Sequence, residues 1–257
     1  MTISGEAWTK YVRALSQVNT EATNQMHKFF AQYGVFDPNN AEAMKLLVRH
    51  AYGISTKYGE AAAELACQMY DACGLASGLF LEPAIPAEVA EYAEVAKTVY
   101  GTAKTSQNIE EMTSAVTRLV KRAGQDTTLK NALRDGAQFA WVPSGDTCAF
   151  CIALASRGWQ YASKDAIKGG HAEHIHANCD CAYAIRFDNK TQVKGYDPDK
   201  YYQQYASADG NTPEEKINSM RRKYYAENKE QILAQKADAY AKRMELNSSA
   251  AEEIKVD

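Results

Sequence analysis

Between Trp8 and Tyr33 the apolar residues Trp8, Tyr11, Val12, Leu15, Val18, Ala22, Met26, Phe29 and Tyr33 return at three- and four-residue steps. That spacing gives an amphipathic helix one apolar face. Gly34 and the turn-forming "FDPNN" end it. Asn39, with Glu42 three residues on, reads as the capped start of a second helix. Its apolar positions Leu47, Ala51, Ile54, Tyr58, Ala62, Leu65 and Met69 run on to Gly74, with Gly53 and Gly59 as points of bending or breakage. "LEPAIP" breaks the pattern, and Pro86 is placed to open a third helix carrying Val89, Tyr92, Ala96, Val99 and Tyr100. Asn108 with Glu111 caps a fourth, bearing Met112, Val116, Leu119 and Val120, and Asp126 is expected to cap a short fifth with Leu129 and Leu133. Such stripes are helix–helix core, and nothing in them converges polar groups on a pocket.

From Phe139 the texture changes. "FAWV" reads as a short strand before a Pro-Ser-Gly turn, and "CAYAIRFD" as a second, with Ala182, Ala184 and Phe187 alternating imperfectly. Residues 188–211 are polar and turn-rich, a surface extension. Thr212-Pro213-Glu214-Glu215 combines a cap, a first-turn proline and a capping-box glutamate, and opens a long charged helix with a thin apolar stripe. The expected fold is mainly α: a helical domain over 1–138, a small α+β module stapled by zinc over 139–190, and a polar extension with a charged helix over 191–257.

Composition narrows the function classes. Of 257 residues, 46% are hydrophobic and 24% charged, enough apolar material for a core, and the net charge of −3 gives no global pull toward nucleic acid or acidic lipid. No apolar run approaches the ~20 residues of a membrane span. The first residues lack the basic and apolar regions of a secretory signal, so the expectation is a soluble protein made in the cytosol. In that compartment six cysteines do not form a disulfide framework. Cys67 and Cys73, in "AAAELACQMYDACGLA", read as buried core thiols.

The other four cysteines carry the candidate chemistry. "TCAFC" places Cys148 and Cys151 three apart, and after 24 intervening residues "HANCDC" supplies His176, Cys179 and Cys181. Thiolates and imidazole in this mixture are the tetrahedral ligands zinc favours. A thioredoxin-type site needs its single CxxC in a βαβ setting, which is missing, and a disulfide across Cys179-x-Cys181 would be strained. Five candidates compete for four positions. On a regular strand Cys179 and Cys181 point to opposite faces, so either Asp180 sits in a turn or bulge, or one cysteine is spare and His176 binds. His171 and His174 read as loop imidazoles. With enough sulfur to close the shell, the expected metal is one structural Zn2+ per chain. Asp146, Asp165, Glu173 and Asp180 stand in no catalytic pattern, so no enzyme activity is expected.

These residues resemble a known family. Val142-Pro143-Ser144-Gly145, Thr147 to Cys151, Ala155 to Gly158, Tyr161, and His176, Cys179 and Cys181 look like the signature of the MuF-like minor capsid, or head-morphogenesis, proteins of tailed phages. The resemblance implies a virion component in the head interior, with the portal, the major capsid protein or the scaffold as partners and no membrane. Two other readings compete. A zinc-stabilised His-Asn-His nuclease would use His171, His174, His176 and Asn178, but "HAEHIHANCDC" runs into a strand where that site needs a helix. A DNA-binding protein packaged with the genome would draw on Arg221, Arg222, Lys223, Lys229, Lys236, Lys242 and Arg243, though interspersed acids favour a solvated face.

Overall fold

The computed structural model describes residues 2–3, 5–34, 36–106, 108–144, 147–164, 181–234, 236–238 and 241. It is mainly helical, with a small three-stranded sheet. A two-residue strand β1 (Thr2–Ile3) leads into α1 (Gly5–Tyr33), α2 (Ala41–Ala76), α3 (Tyr92–Thr105) and α4 (Ile109–Asp135). Gly34 ends α1 at φ 74°, a left-handed conformation that glycine adopts without a Cβ penalty. Ala22, Met26, Phe29, Met44, Leu47, Val48, Val95, Val99, Met112, Val116 and Val120 interlock as the core of this four-helix layer. Tyr33, expected on the buried face, is more than half exposed.

Local signals in the helical half need several corrections. The cap of α2 is Asn40, not Asn39, and its side chain accepts the Ala43 N–H at 3.1 Å. Gly53 and Gly59 break nothing, for α2 runs unbroken through both. At Gly59 an added Cβ would meet Val89 Cγ1 at 3.0 Å, so the residue serves close packing rather than bending. Pro86 opens no helix. The chain from 79 to 91 forms neither helix nor strand, and α3 starts at Tyr92. Side chains of α2 and α4 take its backbone groups instead: Asp71 accepts the Ala84 N–H, Asn131 the Ile85 N–H and Thr127 the Ala87 N–H. Asp126 caps no helix. It lies inside an uninterrupted α4, 3.8 Å from Arg122.

After Gly136 closes α4 with φ 64°, strand β2 (Gln138–Val142) begins. It is the centre of the sheet, antiparallel to both β3 (Gln160–Tyr161) and β4 (Ala182–Arg186), with Phe139 opposite Ile185, Trp141 opposite Tyr183 and Val142 opposite Ala182. Both faces are buried, which is why the sequence lacks a clean polar alternation. Phe139, Trp141, Tyr183 and Ile185 pack against Tyr70, Leu129 and Ala132 of α2 and α4. Ala140, Val142, Ala182 and Ala184 face Trp8 and Tyr11 of α1. Small residues let α1 approach, and large ones fill the gap to α2 and α4. Phe187 belongs to the large-residue face and stands edge-on to Tyr70 at 5.5 Å.

Residues 188–211 are not a mere surface extension. Strand β5 (Gln192–Val193) pairs in parallel with β1, and Asp197 caps α6 (Pro198–Ala206). Thr191, Val193 and Tyr196 are buried there. Helix α7 (Pro213–Glu227) has the expected capping box between Thr212 and Glu215; a turn at Asn228 interrupts the charged helical stretch, and residues 229–234 and 236–238 are helical again.

Candidate metal centre

Cys148 and Cys151 sit at the start of α5 (Ala149–Ala155), the helix after β2. Cys148 is its N-cap: the sulfur accepts the Cys151 N–H at 3.4 Å, as a carboxylate or hydroxyl does at other helix starts. Cys151 is buried and Cys148 half-buried. Cys181 precedes β4, one residue beyond the Val142–Ala182 pair, so it lies at the end of β2 from which the chain departs toward Cys148. All three thiols border one hydrophobic cluster with Leu154, Trp141 and Tyr183. His176 and Cys179, like His171, His174, Asn178 and the carboxylates Asp146, Asp165, Glu173 and Asp180, fall outside the described residues.

A strap formed by β5 and α6 holds this corner. The Tyr196 hydroxyl donates to Ala155 O at 2.8 Å and fixes the end of α5. Tyr201 reaches back to hydrogen-bond with the Thr147 side chain beside Cys148, and its hydroxyl senses Cys181 as well. Burial is the main cause of its raised pKa, and Cys181 adds to it. Tyr201 therefore anchors α6 beside Thr147 and Cys148. The sequence carried the signal for this strap in Asp197-Pro198, a cap followed by a first-turn proline.

Next to Cys181 is a cavity of about 30 Å3 lined by Tyr11, Asn19, Lys121, Gln125 and Thr128. Among its atoms Asn19 Oδ1 and Gln125 Oε1 are buried acceptors without a protein partner. The volume matches one or two water molecules of roughly 10–15 Å3 probe volume each, and it is too small for an organic ligand.

The chemistry of the donors suits zinc. Cys148, Cys151 and Cys181 are soft sulfur donors bordering one hydrophobic cluster, and the first accepts a backbone N–H. Among the described residues by themselves, no three His, Cys, Asp or Glu side chains form a group able to hold an ion.

Fold and corner together define a class: a mainly helical protein whose small sheet is buried between helices, with Cys148, Cys151 and Cys181 near one end of it. Among the described residues no helix is long and apolar enough to cross a membrane. A family model described as VG15 protein matches residues 2–208, and the chain belongs to that viral, phage-type family. No curated protein and no solved structure matches it.

Proposed function

We propose that this protein is a minor component of a phage head, an assembly protein acting at the portal and head interior, with one structural zinc per chain. The observation that carries the reading is the family match over residues 2–208, which takes in the helical layer, the sheet and the whole thiol signature together. Cys148, Cys151 and Cys181 would supply sulfur, and His176 or Cys179 would complete a closed tetrahedral shell. Bound there, zinc would act as a cross-link and supply no reaction. It would pin the start of α5 to the head of β4, the two places that the sheet's own hydrogen bonds do not join. The portal and the major capsid or scaffold proteins are the expected partners.

Two measurements test the reading. Protein purified without chelator should contain about one zinc per chain, falling sharply in Cys148→Ser; well under one equivalent in the wild type would remove the metal. In a phage carrying a nonsense codon in this gene, heads should be absent or defective, and the protein supplied in trans should appear in purified particles by blotting. Normal heads without the protein would overturn the assembly role.

A further inference from the structure

We infer that copies of this chain associate head to tail, an apolar knob at Phe80 of one copy seating in the groove between α5 and α7 of the next. The knob is the connection after α2. Phe80 is wholly exposed, and Leu75 and Ile85 beside it are 71% and 65% exposed. Exposed apolar side chains on a loose loop would signify little. This backbone is held rigidly. Asp71, Asn131 and Thr127 take the N–H groups of Ala84, Ile85 and Ala87, Asn131 donates to Ile85 O, and Arg134 donates to the carbonyls of Glu82 and Pro83. A loop fixed by buried side chains while it displays a phenyl ring to water is preorganised for contact, because ordering costs little on binding.

The same chain carries a complementary surface. Ile152 of α5, Met220, Tyr224 and Tyr225 of α7 and the following Ile232 line an apolar groove of about 310 Å3, room for an aromatic ring. Tyr224 and Tyr225 remain 52% and 41% exposed. Charge sets the pairing. At the knob Asp71, Glu82 and Asp135 lie about Arg134, so its base is negative. At the groove Arg221 is the charged lining residue, while Arg222 and Lys223 border a neighbouring pocket together with Asp209 and Glu227. Two negative knobs would repel, which disfavours a symmetric knob-to-knob dimer. A knob meeting the groove of another copy satisfies both surfaces and leaves one of each open, so the contact propagates to a ring or a filament. One ring in one groove is a small contact, below the ~1,200 Å2 class of stable complexes, so association belongs in the micromolar range.

Sedimentation velocity over rising concentration reads this directly. Wild type should grow from monomer past dimer, and Phe80→Ser and Tyr224→Ser, both at exposed positions with unchanged circular dichroism, should each stay monomeric. An equimolar mixture of the two variants retains one intact knob and one intact groove, so it should form a heterodimer and stop there. Glu82→Lys and Arg221→Glu should each weaken association, while mixing the two sets each knob against a groove of opposite charge and should restore it, as should the double variant. A wild type that remains monomeric at about 100 micromolar, where a micromolar contact would be populated, overturns the inference. So does a mixture of the serine variants that stays monomeric, or a dimer that survives Tyr224→Ser.

Discussion

Asn131 joins two elements through one side chain. It is 2% exposed on α4, and its amide accepts the Ile85 N–H and donates to Ile85 O and Thr127 O. Asn131→Ala strands both backbone groups of Ile85, which should cost about 2–4 kcal/mol in urea unfolding. Hydrogen exchange at Ile85 and Ala87 should rise with it, and unchanged exchange would show that the loop is held elsewhere. Burial also governs the thiols of α2. It pushes Cys67 up to about 11 and Cys73 up to about 12, so at pH 8 only roughly one Cys67 in a thousand is a thiolate. Neither should react with a thiol reagent until denaturant is added, and rapid labelling of the native protein would mean that this part of α2 opens readily. These burials were legible in the 3.6-residue period. The hydrogen bonds of Asn131 were not, because its partners lie 46 residues away and local spacing carries no trace of them.

Among the elements, α3 and α4 are joined by a titratable triad. Hydrogen bonds from Arg122 hold the Glu94 carboxyl below its ordinary value of 4.5. Ionised Glu94 therefore stabilises the fold above about pH 4.5, and that contribution fades as pH falls through the lower folded value. Asp126 runs the other way. Burial raises its pKa despite Arg122, so its contribution is present in acid and is lost as pH rises through the raised value. Glu94→Gln should cost about 0.5–1 kcal/mol at neutral pH, solvent screening of a partly exposed pair included, and much less in acid. Asp126→Asn should cost little at neutral pH. Urea midpoints at the two pH values check both, and equal losses for Glu94→Gln in acid and at neutrality would exclude the mechanism. The sequence placed Asp126 wrongly because an aspartate after "RAGQ" looks like a cap. Gly124 beside it is instead a packing position, where an added Cβ would meet Ala62 O at 3.0 Å.

At the scale of the molecule, the sheet is part of the helical core and not a separate plate. Phe139, Trp141 and Tyr183 lie against α2 and α4, and the alanine face against α1. Loss of the proposed zinc should therefore leave the sheet in place. In Cys148→Ser, circular dichroism and Trp141 fluorescence should change little, while proteolysis should increase around the start of α5. Collapse of the whole spectrum would mean that the metal supports the core itself. The change of texture at Phe139 was legible as a change of element, since aromatic and β-branched residues replace the helical stripe. Burial on both sides was hidden because alanine favours helices and is depleted in strands, so the alanine face carried no strand signal.

The parallel pairing of Thr2–Ile3 with Gln192–Val193 also sets an order of events during synthesis. On the ribosome the first of these strands emerges about 190 residues ahead of its partner, which at 5–20 residues per second is a wait of roughly 10–40 s. Trp8 and Tyr11 wait as well, because the face that covers them is made only between residues 140 and 196. Through that interval the head of α1 is an exposed apolar end on a nascent chain. The nascent chain must therefore keep that end from other contacts until β5 is made.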